Sequence, residues 1–169
     1  MAKSEAQADF SEPQTMKELY NAIYLAGELW REEHKEERIV QKGTRAGETE
    51  TKIPMPKPKD VADILYKLCH FTFIGTGADT DKYLLYIYNL DTGLYIASQD
   101  LFNRLCIKFD TRLKSGSFKE IHILLRTMGK TVKPFGNPNL IPVSNGMFDL
   151  KAKQLLEFSP QYAITSKIK

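Results

Sequence analysis

Near the middle of the chain, Lys82-Tyr-Leu-Leu-Tyr-Ile-Tyr-Asn89 runs into Asn89-Leu-Asp-Thr-Gly93 and then into Leu94-Tyr-Ile-Ala97. Aromatic and β-branched residues fill the two arms, and residues suited to tight turns fill the middle, so the segment predicts an antiparallel hairpin. Phe71-Thr-Phe-Ile74 and the two residues after it supply a third strand and extend the hairpin to a small meander. Helical patterns flank this unit on both sides. The fold class expected is therefore α+β: small antiparallel sheets with two central helices and an N-terminal helical arm.

The arm begins at Thr15, which can cap a helix whose stripe is Leu19, Ile23, Ala26 and Trp30. Asp60 to His70 reads as a second, short helix with Val61, Ile64, Leu65 and Leu68 on one face. After the hairpin, Ser98 can cap a helix running to about Phe109, and Ser117 can cap another over 118–128 that Gly129 ends. Beyond the irregular Pro134, Gly136 and Pro138 segment, Asn145-Gly146 and Lys151-Ala-Lys153 separate three further short strands. Met1 to Pro13 is polar and without a period, which predicts a frayed terminus.

Residues 41–59 contain Gly43, Gly47, Pro54, Pro56 and Pro58 and almost no large apolar side chain, the composition of a semi-rigid linker. The organisation expected is a tail and helical arm over 1–40, a Pro/Gly-rich linker over 41–59 and an α+β domain over 60–169. A chain of 169 residues suits one such core with an appendage.

The net charge of +3 is small, but its distribution is uneven. Residues 1–58 hold 9 Lys and Arg against 11 Asp and Glu, whereas residues 59–169 hold 15 against 10. Within the second part, Arg104, Lys108, Arg112, Lys114, Lys119, Arg126, Lys130 and Lys133 are opposed only by Asp110 and Glu120. Cations on neighbouring helices can neutralise a row of phosphates, and a merely solvated face has the same composition. Tyr86 and Tyr88, placed on one face by strand alternation, are candidates for stacking on bases, a role that competes with bracing the sheet.

Other chemistry finds less support. Gly75-Thr-Gly77 lacks the register of a nucleotide loop and reads as a turn, and GxxxxGK[ST] is absent from the chain. His34, His70 and His122 have no metal-ligand spacing. Asp79 and Asp81 have DxD spacing in a loop and would need a third carboxylate to hold a divalent ion for nuclease chemistry. Cys69 and Cys106 lie in apolar contexts without CxxC spacing, as core thiols do. No catalytic set, metal set or cofactor is expected. With no run of ~20 apolar residues and a polar N-terminus, a cytoplasmic protein of a bacterial cell or infected host is expected, without a membrane partner.

Asn139-Leu-Ile-Pro-Val-Ser-Asn-Gly-Met-Phe-Asp-Leu150, followed by Phe158-Ser-Pro-Gln-Tyr162, resembles a passage of phage, plasmid and poxvirus replicative primase-helicases. In those proteins it immediately precedes the superfamily 3 helicase motor. The resemblance extends more loosely back through His70-Phe71, Asp91-Thr-Gly93-Leu-Tyr95 and the helix from Leu101, covering roughly 60–169. It implies a helicase-associated module of DNA replication. ATP and magnesium would belong to the motor, whose Walker loops and arginine finger are absent from this sequence. The partners implied are single-stranded or forked DNA and replication proteins or a helicase motor, and an oligomer is compatible. In the motif itself Asn145-Gly146 is expected to turn through positive φ, with Met147, Phe148 and Leu150 anchoring the strand. An alternative of another class is a protein-interaction adaptor or replication regulator in which Leu19, Ile23 and Trp30 dock a partner.

Overall fold

A computed structural model describes residues 12–168 and shows an α+β fold of four helices and sheets of two, four and three strands. The terminus expected to fray lies outside the described residues up to residue 11. Thr15 caps α1 (Met16–Glu33) by accepting a hydrogen bond from the Glu18 amide at 3.2 Å. The stripe of Met16, Leu19, Ile23 and Ala26 lies in the main core beside Val61, Leu65, Phe102, Leu105 and Phe109. The N-terminal helix is thus a wall of the core. Gly27 permits this: a Cβ there would stand 2.0 Å from the Phe109 carbonyl oxygen.

β1 (Glu36–Ile39) and β2 (Thr49–Lys52) pair antiparallel, with Glu36 opposite Lys52 and Ile39 opposite Thr49, and every strand residue is exposed. The linker expected over 41–59 therefore begins as the loop and second strand of a ribbon. With neither face buried, the ribbon has no apolar alternation for a sequence pattern to register. Gly43 and Gly47 take φ of 94° and 92° at its tip. Only the stretch after β2 is extended Pro-rich backbone, and it ends where Pro58 opens α2 (Pro58–Leu68). That helix buries Val61, Ala62 and Leu65.

β3 (Phe71–Ile74), β4 (Leu84–Asn89) and β5 (Leu94–Ile96) form the expected meander, with Phe71 opposite Ile87 and Tyr88 opposite Tyr95. The Asn89 carboxamide oxygen accepts the Asp91 and Thr92 amides, and Gly93 turns at φ 71°. Ser98 caps α3 (Gln99–Phe109) through the Leu101 amide. The next helix, α4 (Ser115–Met128), starts at Lys114 with no side-chain cap, so Ser117 is inside the helix and not its cap. Ser115 and Gly116 continue the helical backbone toward the N-terminus, which a cap-based boundary misses. Gly129 ends it as expected.

β6 (Thr131–Val132) then joins β3 in parallel, giving the order β5-β4-β3-β6 and making the sheet mixed. Phe71, Leu85 and Ile87 turn toward the helices. Ile74, Tyr88 and Tyr95 turn the other way, against Val132 and Ala163. The third sheet, β7 (Leu140–Val143), β8 (Gly146–Asp149) and β9 (Gln154–Leu156), is an antiparallel meander built on Leu140, Met147 and Ile164. Neither Asn145 nor Gly146 has positive φ. Gly146 is needed for close approach instead, because a Cβ would meet the Leu156 carbonyl oxygen at 2.3 Å. The Tyr95 hydroxyl donates to the Pro160 carbonyl at 2.6 Å, tying the C-terminal segment to the central sheet.

Candidate nucleic-acid interface

The eight cations singled out in the sequence divide into two kinds. Arg112 and Arg126 are committed to the fold. Arg112 pairs with Asp110, whose carboxylate is 2 % exposed, through Nε at 3.0 Å and Nη2 at 2.6 Å, and it also donates to the Ile53 and Pro54 carbonyls at 3.0 Å each. Arg31 of α1 joins this node, with Nη1 2.8 Å from the Phe109 carbonyl oxygen and 3.7 Å from Asp110 Oδ2. Burial pushes the Asp110 carboxyl up. The Arg112 hydrogen bonds and the charges of Arg112 and Arg31 outweigh that and hold it below its ordinary value. Arg126 lies 4.4 Å over the Phe73 ring and donates to the Thr80 and Tyr83 carbonyls, so its charge fastens α4 to the loop before β4. Both guanidiniums thus have partners within the fold, Arg112 although its side chain is 40 % exposed, which sets them apart from the other six of the expected cation row.

Arg104, Lys108, Lys114, Lys119, Lys130 and Lys133 are all exposed and have no side-chain partner among the described residues. Arg104 and Lys108 stand one turn apart on α3. Lys114 is the N-cap of α4, and Lys119 lies in its second turn on the rim of a groove shared with Gln99 and Asn103 of α3. Lys130 and Lys133 sit beyond the other end of α4, about 20 Å away by helix length. The candidates therefore fall in three places: Arg104 and Lys108 on α3, Lys114 and Lys119 at the start of α4, and Lys130 and Lys133 beyond its end. Asp100 is the acid of α3 and Glu120 that of α4.

Tyr86 and Tyr88 do share a face, but that face is interior. Tyr88 is 5 % exposed, edge-on to Tyr95 with centroids 5.2 Å apart, and burial raises its phenol above the ordinary value. It is a core residue, not a stacking platform, and Tyr86 packs half-buried against the same cluster. Leu19 and Ile23, expected as docking residues, are 1 % and 0 % exposed and fill the core. A helical stripe on α1 has the same spacing whether it faces a partner or the chain's own interior. Trp30, half-buried, stacks on the His34 ring at 4.1 Å and tilts against Phe109, closing the edge of that core.

The remaining polar candidates have structural occupations. Asp79 accepts the Asp81 amide at 3.2 Å and pairs with Lys82 at 3.1 Å in a short 3-10 turn. Among the described residues no three His, Cys, Asp or Glu side chains gather to hold a metal ion. His70 reaches Glu12 at 3.3 Å. His122 stands edge-on to Phe73 and Phe102, and burial, then the Arg126 charge, lowers its imidazole below the ordinary value. Cys69 and Cys106 are buried thiols in the main core, each pushed up by burial to about 12. No described helix is long and apolar enough to cross a membrane.

The groove residues Gln99, Asn103, Phe118 and Ile123 were not among the sequence candidates. Ile123 carried the signal that could have found them. It lies off the stripe of Ile121 and Leu125, so an aliphatic side chain stands on the solvent side of α4 at 61 % exposure. No protein-family model matches the chain, and no curated protein does.

Proposed function

We propose that this chain is a nucleic-acid-contacting module of a phage- or mobile-element-type replicative primase-helicase, acting by positioning and without bond chemistry of its own. The observation that carries this reading is that Arg104 and Lys108 on α3, and Lys114 and Lys119 at the start of α4, are exposed and uncommitted to carboxylates. Lone surface lysines are commonplace, but here the two cations that serve the fold are clearly separated from those that do not. The resemblance of Asn139 to Leu150 supports the replication context, and that stretch is a packed meander, as an assembly element would be. Single-stranded or forked DNA in the cytoplasm of the host cell is the partner this reading names.

The test is fluorescence anisotropy with single-stranded, duplex and forked DNA across a salt series. Four phosphate contacts predict a slope of log K against log salt of about −3 on single strands, each contact contributing about −0.7. Arg104→Glu/Lys108→Glu reduces that slope by at least about half and weakens binding to every sequence alike. Failure to bind any DNA at low salt, or binding indifferent to salt, refutes the reading. A second reading, docking of a replication protein, is favoured by one observation: Tyr24, Leu25 and Leu29 are exposed side by side on the outer face of α1.

A further inference from the structure

α3 packs on α1 and α4 packs on α2, and between the outer sides of α3 and α4 runs an open groove of about 480 Å³. Its walls are Gln99 and Asn103 from α3 and Phe118, Lys119, His122 and Ile123 from α4. Three features of this groove are open to a ligand. Phe118, which also packs against the main core, and the 61 %-exposed Ile123 give it an apolar lining. The His122 ring nitrogens have no hydrogen-bond partner among the described residues, and the lowered imidazole is neutral near pH 7, which adds a flat uncharged surface. Finally, Gln99 Nε2 donates to Asn103 Oδ1 at 2.9 Å, which leaves the Gln99 carbonyl oxygen and the Asn103 amide protons free.

An apolar seat with a free acceptor and a free donor at its edge suits a planar heteroaromatic ring that has polar atoms along one side. The surroundings narrow the class. Lys119 is itself a lining residue and Lys114 caps α4 one turn before Phe118, so two uncommitted cations flank the α4 wall, while Arg104 and Lys108 fall off the Gln99–Asn103 face of α3. A free phosphate would have no use for the seat, and an apolar peptide none for the cations. A duplex would not offer its bases, which are stacked and paired. We propose that the α3–α4 groove receives one unpaired nucleobase of a single-stranded nucleic acid, seated against Phe118 and Ile123 and met at its edge by Gln99 and Asn103, while Lys114 and Lys119 hold the flanking phosphates. This rests on the nucleic-acid reading above and adds to it a site for the base itself, so that the contact favours single strands over duplex.

The experiment compares fluorescein-labelled oligothymidylate with an oligomer of the same length and charge whose residues are abasic. Stacking on one side-chain platform predicts that the base-bearing strand binds about tenfold more tightly. Ile123→Ser/Asn103→Ala, at positions outside the core, removes that difference by weakening only the oligothymidylate, with the melting temperature and the affinity for the abasic strand unchanged. Equal, salt-sensitive binding of the two strands overturns the groove and leaves the backbone contact standing. A base preference that survives in the double variant places the base elsewhere and also overturns it. If neither strand binds at low salt, the nucleic-acid reading falls together with the groove.

Discussion

The Asp110 node makes an asymmetric prediction about stability. Arg112→Ala leaves a carboxylate that is 2 % exposed with Arg31 Nη1, 3.7 Å away, as its remaining cation. Breaking a buried pair from this side costs about 3–5 kcal/mol, and the retained Arg31 places the expectation near the lower limit, about 3 kcal/mol. Asp110→Ala instead leaves two guanidiniums whose side chains are 40 % and 20 % exposed and which water can reach, so about 2 kcal/mol is expected. For a chain of this size each 1 kcal/mol moves the melting temperature by roughly 2–4 °C, giving losses of about 6–12 °C and about 4–8 °C. The double variant loses less than the two single losses combined, because the pair is one interaction. Thermal melts followed by circular dichroism check this. An Asp110→Ala loss equal to or greater than that of Arg112→Ala refutes the argument that the buried member of the pair sets the penalty.

The same node fixes a pH dependence. A carboxyl held lower in the folded than in the unfolded chain stabilises above its ordinary value, about 3.9, and that contribution disappears as pH falls through the folded value. The melting-temperature gap between wild type and Asp110→Asn therefore closes below about pH 4, and a constant gap contradicts it. Gly27→Ala, which drives a Cβ to 2.0 Å from a backbone oxygen, destabilises by at least about 1–3 kcal/mol, whereas Gly116→Ala, in open space on α4, stabilises by about 0.5–1 kcal/mol; urea titration reads both signs. Cys69 and Cys106, pushed up to about 12, stay unmodified by a thiol reagent at pH 8 and react once urea unfolds the chain, as mass spectrometry will show.

Where one face of an element is buried and its cap is a side chain, the fold was legible: Thr15 and Ser98 both cap as expected, and the 82–97 hairpin has its expected strands and turn. The misses share a physical cause. β1 and β2 bury nothing, β6 is two residues long, and α4 begins without a capping side chain, so none leaves a periodic or capping signal. Periodicity also cannot say what covers a stripe, which is why Leu19, Ile23 and Tyr88 were open to a binding role until the packing placed them inside. For the cations the limit was different. Arg112 and Arg126 take carbonyl and carboxylate partners as many as 59 positions away, and no local reading separates them from Arg104 or Lys108.

The β1–β2 ribbon divides the chain in a way that the core does not. Nothing in its strands is buried, while α1 before it is built into the same interior as α2 and α3 after it, and Arg112 grips the Ile53 and Pro54 backbone that leaves it. Opening of such a ribbon needs little apolar surface to be exposed and proceeds without the rest of the molecule. A protease acting after Lys42 or Arg45 at the tip would therefore yield two polypeptides that remain one folded particle, held by the buried faces of Leu19, Ile23 and Ala26. The behaviour expected is that of a split pair: the piece bearing α1 and the remainder reassemble when mixed, and sequence inserted at the ribbon tip rides on the fold without entering it.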